Sequence, residues 1–346
     1  MRTFLSAVSL VLVCLVPGHT QQKLLSLAES AVHEKLQGSV AVLAKSTKTQ
    51  GMAVLIDNGG FFLAHRLSIK SGATTATMPN GRSLVLRLVQ QDEPSQMVLL
   101  KADDWSPSYG APVKLAREAV QPGDRVLAIL PSGIARAEIA NTNLFGVISD
   151  NRRLIPLFEI RLEAPADQIG GAAVFTLEGN LIGIIGAALK QPDPYNTTSQ
   201  QRVGFGNSGG VARARSGATE LKGLNRFSKP FGPTALTVAY VAGQNIMERV
   251  VHGFASPTRE VEHPTLGVFC RDSARGGALI DYITPNSPAD KASLKVGDII
   301  FELAGLPIRN QLDFAKAMMN QSVGQRVVVK VIRNKDLLNL TVTIGK

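Results

Sequence analysis

The sequence contains little cysteine, few aromatic residues and no block of like charges. Cys14 and Cys270 are the only cysteines among 346 residues, and aromatic side chains make up 5% of the chain. Metal sites are usually built from clusters of histidine, cysteine and carboxylate, so no metal and no cofactor is predicted. The histidines are instead scattered along the chain, at His19, His33, His65, His252 and His263.

The formal net charge is +10, but lysine and arginine are dispersed along the chain. Dispersed charge of this size favours solubility, whereas nucleic-acid binding usually needs a concentrated basic patch. No nucleic-acid partner is therefore predicted.

The longest apolar run lies at the N-terminus, in MRTFLSAVSLVLVCLVPGHT (residues 1–20). Arg2 precedes an apolar segment, 4–16, that is too short to span a bilayer comfortably, and small residues follow it. This pattern predicts a signal peptide, and hence a periplasmic or secreted protein with no membrane association beyond export. Cys14 would leave with this segment, so no internal disulfide is expected. Cys270, within an apolar strand, is expected to be a small core residue.

The next segment, 21–38, contains LLSLAESAVHEKLQ, whose apolar residues recur at helical spacing. From residue 39 the chain changes to short β-type runs such as GMAVLID, FFLAHRLSI and DRVLAIL, separated by turn signals including Asn58-Gly59. Many strands without intervening helices predict an antiparallel β-barrel or sandwich. We assign residues 39–253 to this domain and interpret its Gly- and Ser-rich stretch near 191–234 as a loop insertion.

A polar, proline-bounded linker at 254–264 leads to a compact unit at 265–346. His252 and His263 flank this linker and are expected to be solvated. The unit contains the strands TLGVFC and GGALIDYI, an amphipathic helix at 312–319, and a closing hairpin of RVVVKVIR with LNLTVTI. A small α+β domain is predicted.

The segments TLGV, PNSPADKASLKVGDIIFELAG and VGQRVVVKVIRN resemble a PDZ domain of the bacterial type that follows proteases. The resemblance implies that backbone N–H groups of a TLGV loop bind a terminal carboxylate, and that the following strand accepts a peptide as an added strand. Gly267 is expected to matter because a Cβ there would obstruct the carboxylate. The implied peptide-binding residues are Thr265, Leu266, Gly267, Val268, Phe269, Cys270, Leu312, Ala315 and Met319.

The preceding domain resembles the trypsin-like domain of the HtrA (high-temperature-requirement) family. The matching segments include GMAVLIDNGGFFLAHRLSI, VQPGDRVLAILPSG and GGAAVFTLEGNLIGI. The resemblance implies an all-β trypsin-like double β-barrel followed by a small α+β PDZ domain. It also implies peptide or protein ligands, captured at their C-termini or as extended segments. Because family members commonly form trimers, the resemblance also implies an oligomer, either of this chain alone or with active relatives.

The HtrA pattern also assigns the positions of a Ser-His-Asp triad, which this sequence does not fill. Leu67 stands where the base is expected, Gln96 at the orienting acid and Gly170 at the nucleophile. Without a hydroxyl, Gly170 cannot form an acyl-enzyme. His65 is two residues early. On a continuous strand that offset moves the side chain about 6.6 Å, so His65 is expected to be structural.

Ser208 lies in GNSGG, a string that surrounds the nucleophile in many trypsin-like proteases. It comes about 38 residues after Gly170 and lacks the strand that should follow, so we interpret the match as compositional. The leading hypothesis is a catalytically degenerate HtrA-like protein that acts by peptide binding in protein quality control. The alternatives are a working serine endopeptidase that uses His65 and Ser208, and a regulatory subunit of active relatives.

Overall fold

The computed structural model describes residues 27–44, 50–69, 72–146, 155–189, 215–216, 219–220 and 236–346. The predicted signal peptide and Ser208 lie outside these ranges. The first described element is helix α1, Leu27–Leu36. Its Val32 and Leu36 are buried, and Glu29 forms a two-pronged ion pair with Arg136, with N–O distances of 2.6 and 2.7 Å.

The first barrel consists of six antiparallel strands, closed in the order β1-β2-β3-β6-β5-β4. Alternate side chains fill its interior, where Phe62, Leu55, Leu86 and Leu100 are fully buried. Its strands are β1 Val40–Leu43, β2 Met52–Leu55, β3 Phe61–His65, β4 Ala73–Thr77, β5 Ser83–Asp92 and β6 Met97–Ala102.

A second ring of six antiparallel strands follows, β8-β7-β10-β11-β14-β9, closed by the pairing of β8 with β9. A short hairpin, β12–β13, adds to β8 opposite Phe145. Helix α2, Gln244–Ala255, comes after the last strand and packs its apolar face, including Met247 and Phe254, between the barrels. The strands are β7 Arg125–Leu130, β8 Gly133–Gly146, β9 Ile155–Leu162, β10 Ala173–Thr176, β11 Leu181–Leu189, β12 Arg215–Ser216, β13 Thr219–Glu220 and β14 Thr237–Ala242.

The C-terminal unit is a five-stranded antiparallel sheet, β15-β16-β17-β19-β20, with β18 paired to β17. Ser287 caps α3 and Asn310 caps α4, each by accepting a backbone N–H three residues later. The elements are β15 Val268–Asp272, β16 Ala278–Ile283, α3 Pro288–Lys291, β17 Ile299–Leu303, β18 Leu306–Pro307, α4 Gln311–Met319, β19 Arg326–Arg333 and β20 Asp336–Thr343. The double-barrel and α+β predictions are confirmed.

Two local expectations were wrong. The FFLAHRLSI run was expected to be one strand, but β3 ends at His65 and a 3-10 helix follows at Arg66–Ser68. The imidazole Nδ1 of His65 accepts the Leu67 N–H at 3.3 Å and so caps that helix. His263, expected in solvent, is buried, with only 6% of its surface exposed. Its bonding is described with the candidate site.

Candidate functional site

The junction between the barrels contains His65 at the end of β3. The side chain is 1% exposed, and burial lowers the pKa of His65 from the ordinary 6.5 to about 4. Its Nε2 has no hydrogen-bond partner among the described residues, and it faces the backbone of β11. A Cβ built on Gly186 would lie 2.8 Å from this nitrogen. His65 is therefore a neutral, packed imidazole at pH 7.

Leu67 and Ser68 extend from His65 into the second barrel. Leu67 packs against that barrel's interior cluster. The fully buried Ser68 hydroxyl lies between two glycines: a Cβ on Gly51 or on Gly171 would come within 1.8 or 2.3 Å of it, respectively. The approach of the two barrels therefore needs glycine on both sides of Ser68.

Gln96 occupies the last position of the turn between β5 and β6. Its φ is 58°, in the left-handed region, and its side-chain Nε2 donates to the Glu93 carbonyl at 2.7 Å. Its own carbonyl accepts the Arg66 N–H at 2.9 Å. The Gln96 side chain thus bonds within its own turn, and the Gln96 backbone carbonyl bonds this turn to Arg66.

Gly170 is buried in the turn between β9 and β10, which contacts the first barrel. Neighbouring N–H groups of this turn donate to the protein's own carbonyls, from Gln168 to Pro165 at 3.0 Å and from Gly171 to Ile185 at 2.9 Å. The Gly171 carbonyl in turn accepts the Met52 N–H of β2 at 3.0 Å. Gly171 has a φ of 74°, which favours glycine. The N–H groups of Gln168 and Gly171 are therefore already bonded within the protein.

A buried hydrogen-bond cluster that the sequence did not reveal lies beside this junction. The Asp92 carboxylate accepts from Ser95 Oγ at 2.5 Å and bonds His263 Nε2 at 2.7 Å. The same carboxylate also accepts the Ser95 N–H at 3.1 Å, which closes the turn after β5. Its partner His263 is 171 positions away, in the linker before the C-terminal unit, so no local pattern could have paired them.

In the C-terminal unit, the predicted carboxylate loop is held by internal bonds. The Thr265 N–H donates to the Gly345 carbonyl at 2.9 Å, and the Gly267 N–H donates to Thr265 Oγ1 at 3.0 Å. Leu266 is buried in the domain core. Gly267 has a φ of 76°, and a Cβ there would meet the Ser287 Cβ at 2.3 Å. The structure therefore adds a second reason for glycine at this position, which is the contact with Ser287.

Strand β15 is an edge strand, and helix α4 lies beside it. Val268 and Cys270 pack towards the domain core, whereas Phe269 is 41% exposed. Burial, and to a smaller extent the charge of Asp281, raises the pKa of the Cys270 thiol to about 12, which agrees with the expectation of a small core residue.

Helix α4 carries the remaining predicted peptide-binding residues. We call the space between β15 and α4 the groove. Leu312 and Ala315 are partly exposed on this helix. Met319, at its end, packs against the cluster between the barrels, and its carbonyl accepts from Arg249 at 3.3 Å. The final turn of α4 is therefore also a contact with the barrels, which sequence reasoning did not foresee.

A family model described as PDZ domain matches residues 264–344. Over 275 residues the chain is 24% identical to a probable periplasmic serine endoprotease DegP-like of Rickettsia conorii, with 77% of this chain and 47% of that protein covered. It is 29% identical over 145 residues to the magnetosome formation protease MamE of Magnetospirillum gryphiswaldense, with 40% and 18% covered. The chain thus spans less than half the length of either curated relative.

The solved structure of the HtrA-type protease AlgW with tripeptide has a TM-score of 0.62 and 18% identity, over 91% of this chain and 96% of that chain. Both the barrel pair and the PDZ domain lie within this match. The chain therefore contains a PDZ domain and is similar over most of its length to HtrA-type proteases. The residues predicted at the triad positions all lie around the barrel junction: Leu67 in the 3-10 helix, Gln96 in the β5–β6 turn and Gly170 in the turn before β10.

Across the described ranges, no group of three or more His, Cys, Asp or Glu side chains is placed to hold a metal ion. Within the same ranges, none of the helices combines the length and apolar character needed to cross a bilayer.

Proposed function

We propose that this chain is an exported HtrA-type protein with a degenerate catalytic triad, which acts by binding peptides through its PDZ domain. Its role would be that of a scaffold, adaptor or chaperone-like component in protein quality control. Its ligands would be free C-termini or extended segments of other proteins. Its assembly would be with itself or with active relatives.

The observation that carries this proposal is the identity and environment of Leu67. Triad chemistry needs an imidazole at this position to take the nucleophile's proton. Leu67 cannot accept a proton, and it packs against the second barrel's interior. Gln96 carries no charge and bonds Glu93, and Gly170 has no hydroxyl. Loss of the serine or the histidine alone costs on the order of 10⁶ in kcat in a related constellation.

The environment of His65 speaks against the endopeptidase alternative. A general base works best when its pKa lies near the working pH, and burial lowers the pKa of His65 to about 4. Its Nδ1 accepts the Leu67 N–H, and its Nε2 faces the backbone of β11. To act on Ser208, the imidazole would have to leave this packed position.

The test combines activity-based labelling with peptide binding on the full exported chain. We expect no fluorophosphonate labelling and no cleavage of unfolded casein. In the same preparation we expect binding of a fluorescent peptide with a free C-terminus, and much weaker binding of its amidated form. The matched control is Ser208→Ala, which should behave identically. Labelling or casein turnover that Ser208→Ala abolishes would overturn the proposal, as would the absence of binding by both the free and the amidated peptide.

A further inference from the structure

The outer face of the PDZ edge strand carries a pair of exposed aromatic rings. Phe269 of β15 and Tyr282 of β16 are opposite each other in the strand register, with 41% and 50% of their surfaces exposed. Their ring centroids are 5.7 Å apart, with the planes tilted by 48°. Exposed aromatic pairs of this kind are enriched at recognition surfaces. We call this pair the aromatic shelf.

The backbone direction of β15 shows which groups remain open at its edge. The Gly267 carbonyl accepts the Thr284 N–H at 2.8 Å, on the side of β16. Backbone groups alternate sides along a strand, so those of Val268 and Cys270 point to the open edge. An added peptide strand would pair with these two residues.

The register of an added strand follows from the ends of the groove. Asp272, at the end of β15, accepts the Gln311 N–H at the start of α4 at 2.8 Å, so the C-terminal half of α4 lies towards Val268. A peptide whose terminal carboxylate reaches the Thr265–Val268 loop runs antiparallel to β15. Its last residue is then opposite Val268, on the core face, and its penultimate residue is opposite Phe269.

Opposed residues on neighbouring antiparallel strands project from the same face of a sheet. The penultimate side chain would therefore leave the groove and extend the row formed by Phe269 and Tyr282. The nearest charges on that face, Arg271 and Asp281, already form an ion pair at 2.9 Å. The shelf thus offers apolar aromatic surface to this side chain.

We propose that the aromatic shelf is a specificity subsite that selects a large apolar or aromatic side chain at the penultimate position of the bound C-terminus. This inference rests on the proposed peptide-binding function. Cross-strand aromatic pairs typically contribute about 0.2–1 kcal/mol, so the preference over alanine corresponds to a roughly 1.4-fold to fivefold change in Kd.

The experiment uses fluorescein-labelled decapeptides of Gly-Ser repeats that end in Trp-X or Ala-X, where X is Ala, Val, Leu or Phe. Fluorescence anisotropy with the full chain gives the Kd of each Trp/Ala pair. We expect Trp to bind about 1.4-fold to fivefold more tightly than Ala for the preferred X. Phe269→Thr, which keeps a strand-forming residue, should reduce the ratio to near one.

Tyr282→Thr should reduce the ratio partly. The matched control is Leu337→Thr, because Leu337 is 70% exposed on β20 at the opposite edge of the sheet. It should leave the ratio unchanged. Equal binding of the Trp and Ala peptides by the unmodified chain overturns the inference alone, as does a ratio that survives Phe269→Thr or falls in Leu337→Thr. Failure of every free-carboxylate peptide to bind overturns the proposed function, and this inference with it.

Discussion

His65 has two structural roles at the end of β3. Its Nδ1 caps the 3-10 helix that carries Leu67, and its ring fills space against Gly186. Both roles need the neutral imidazole, because a protonated Nδ1 could not accept the Leu67 N–H. The structural role of His65 therefore predicts a dependence of stability on pH.

We expect the barrels to lose stability as the pH falls from about 6.5 to about 4. The pKa of His65 is about 4 in the folded chain and near 6.5 when unfolded, so the unfolded state binds more protons in this interval. The loss attributable to His65 by pH 4 is on the order of 3 kcal/mol. The stabilisation is fully present above pH 6.5. Urea unfolding followed at several pH values measures this slope.

The matched comparison is His65→Asn, whose side-chain oxygen can still accept the Leu67 N–H but does not titrate in this range. The variant should be less stable at pH 7, yet its stability should fall less steeply towards pH 4. His252→Asn is the control, because His252 is exposed on α2. Equal slopes for the unmodified chain and His65→Asn would show that the titration of His65 is not coupled to folding.

Residue-scale prediction from sequence succeeded in part for Cys270, which is partly buried against the domain core, and failed for the surroundings of His65. Cys270 could be assigned because an apolar residue within an apolar strand has a strong preference for the core. The sequence also indicated that His65 was structural, but from a strand geometry that the 3-10 helix at Arg66–Ser68 replaces. A side chain that accepts the backbone N–H of the residue two positions later can end a strand. The periodicity of apolar residues does not predict such a hydrogen bond.

At the scale of elements, the β5–β6 turn connects the triad region to the PDZ linker. This turn contains Gln96 at its end, and Asp92 at its start bonds His263 of the linker. Both Asp92 and His263 are buried, so neither can exchange its partner for water without moving the linker. The contact therefore fixes where the linker lies against the first barrel.

We expect removal of either partner to loosen the linker. Asp92→Asn or His263→Gln should lower the free energy of unfolding by on the order of 2–4 kcal/mol, because a buried polar group loses its partner. Each should also speed tryptic cleavage after Arg259, in the linker. The double variant should cost less than the sum of the two single changes.

The control for this prediction is Glu260→Gln, which removes a solvent-exposed ion pair between the same linker and Lys346. Exposed pairs contribute little, so its stability and cleavage rate should stay close to those of the unmodified chain. If Asp92→Asn and Glu260→Gln behave alike, the Asp92–His263 contact does not restrain the linker.

The sequence signal for a strand is weak where apolar residues are sparse. Strand β4, Ala73–Thr77, has a weak sequence signal because it buries only Thr74 and Ala76. Strand β8 runs for 14 residues, and its consecutive buried residues lie at its end. Its earlier part carries Arg136, which reaches Glu29 of α1, and Glu138, which is exposed. Barrel closure supplies the backbone hydrogen bonds that hold such strands.

At the scale of the whole molecule, sequence patterns were sufficient for the order of the domains and insufficient for the contact between them. The barrel glycines and the PDZ segments are local signals. The contact between the barrels and the PDZ domain joins residues far apart in the chain. No local sequence pattern distinguishes these residues from other surface residues. They include Arg249 of α2 and Met319 of α4, with Lys316 lying 5.9 Å from the centre of the Phe145 ring.

Arg249 is the polar centre of this contact. Its Nη1 donates to the Glu262 carbonyl at 3.1 Å and its Nη2 to the Met319 carbonyl at 3.3 Å. Burial lowers the pKa of Arg249, and the charge of Glu262 partly offsets that effect. The Arg249 guanidinium thus donates hydrogen bonds both to the linker and to the last residue of α4.

We expect Arg249→Met to release the PDZ domain from the barrels while both remain folded. Methionine keeps the apolar stem but donates no hydrogen bond, so the last turn of α4 loses its bond to α2. Hydrogen exchange of the Asn320 and Gln321 amides should rise, and small-angle scattering should show a larger radius of gyration. The control is Arg326→Met, an exposed PDZ position at the start of β19. Unchanged exchange and an unchanged radius in Arg249→Met would mean that apolar packing of Met319 alone holds the PDZ domain in place.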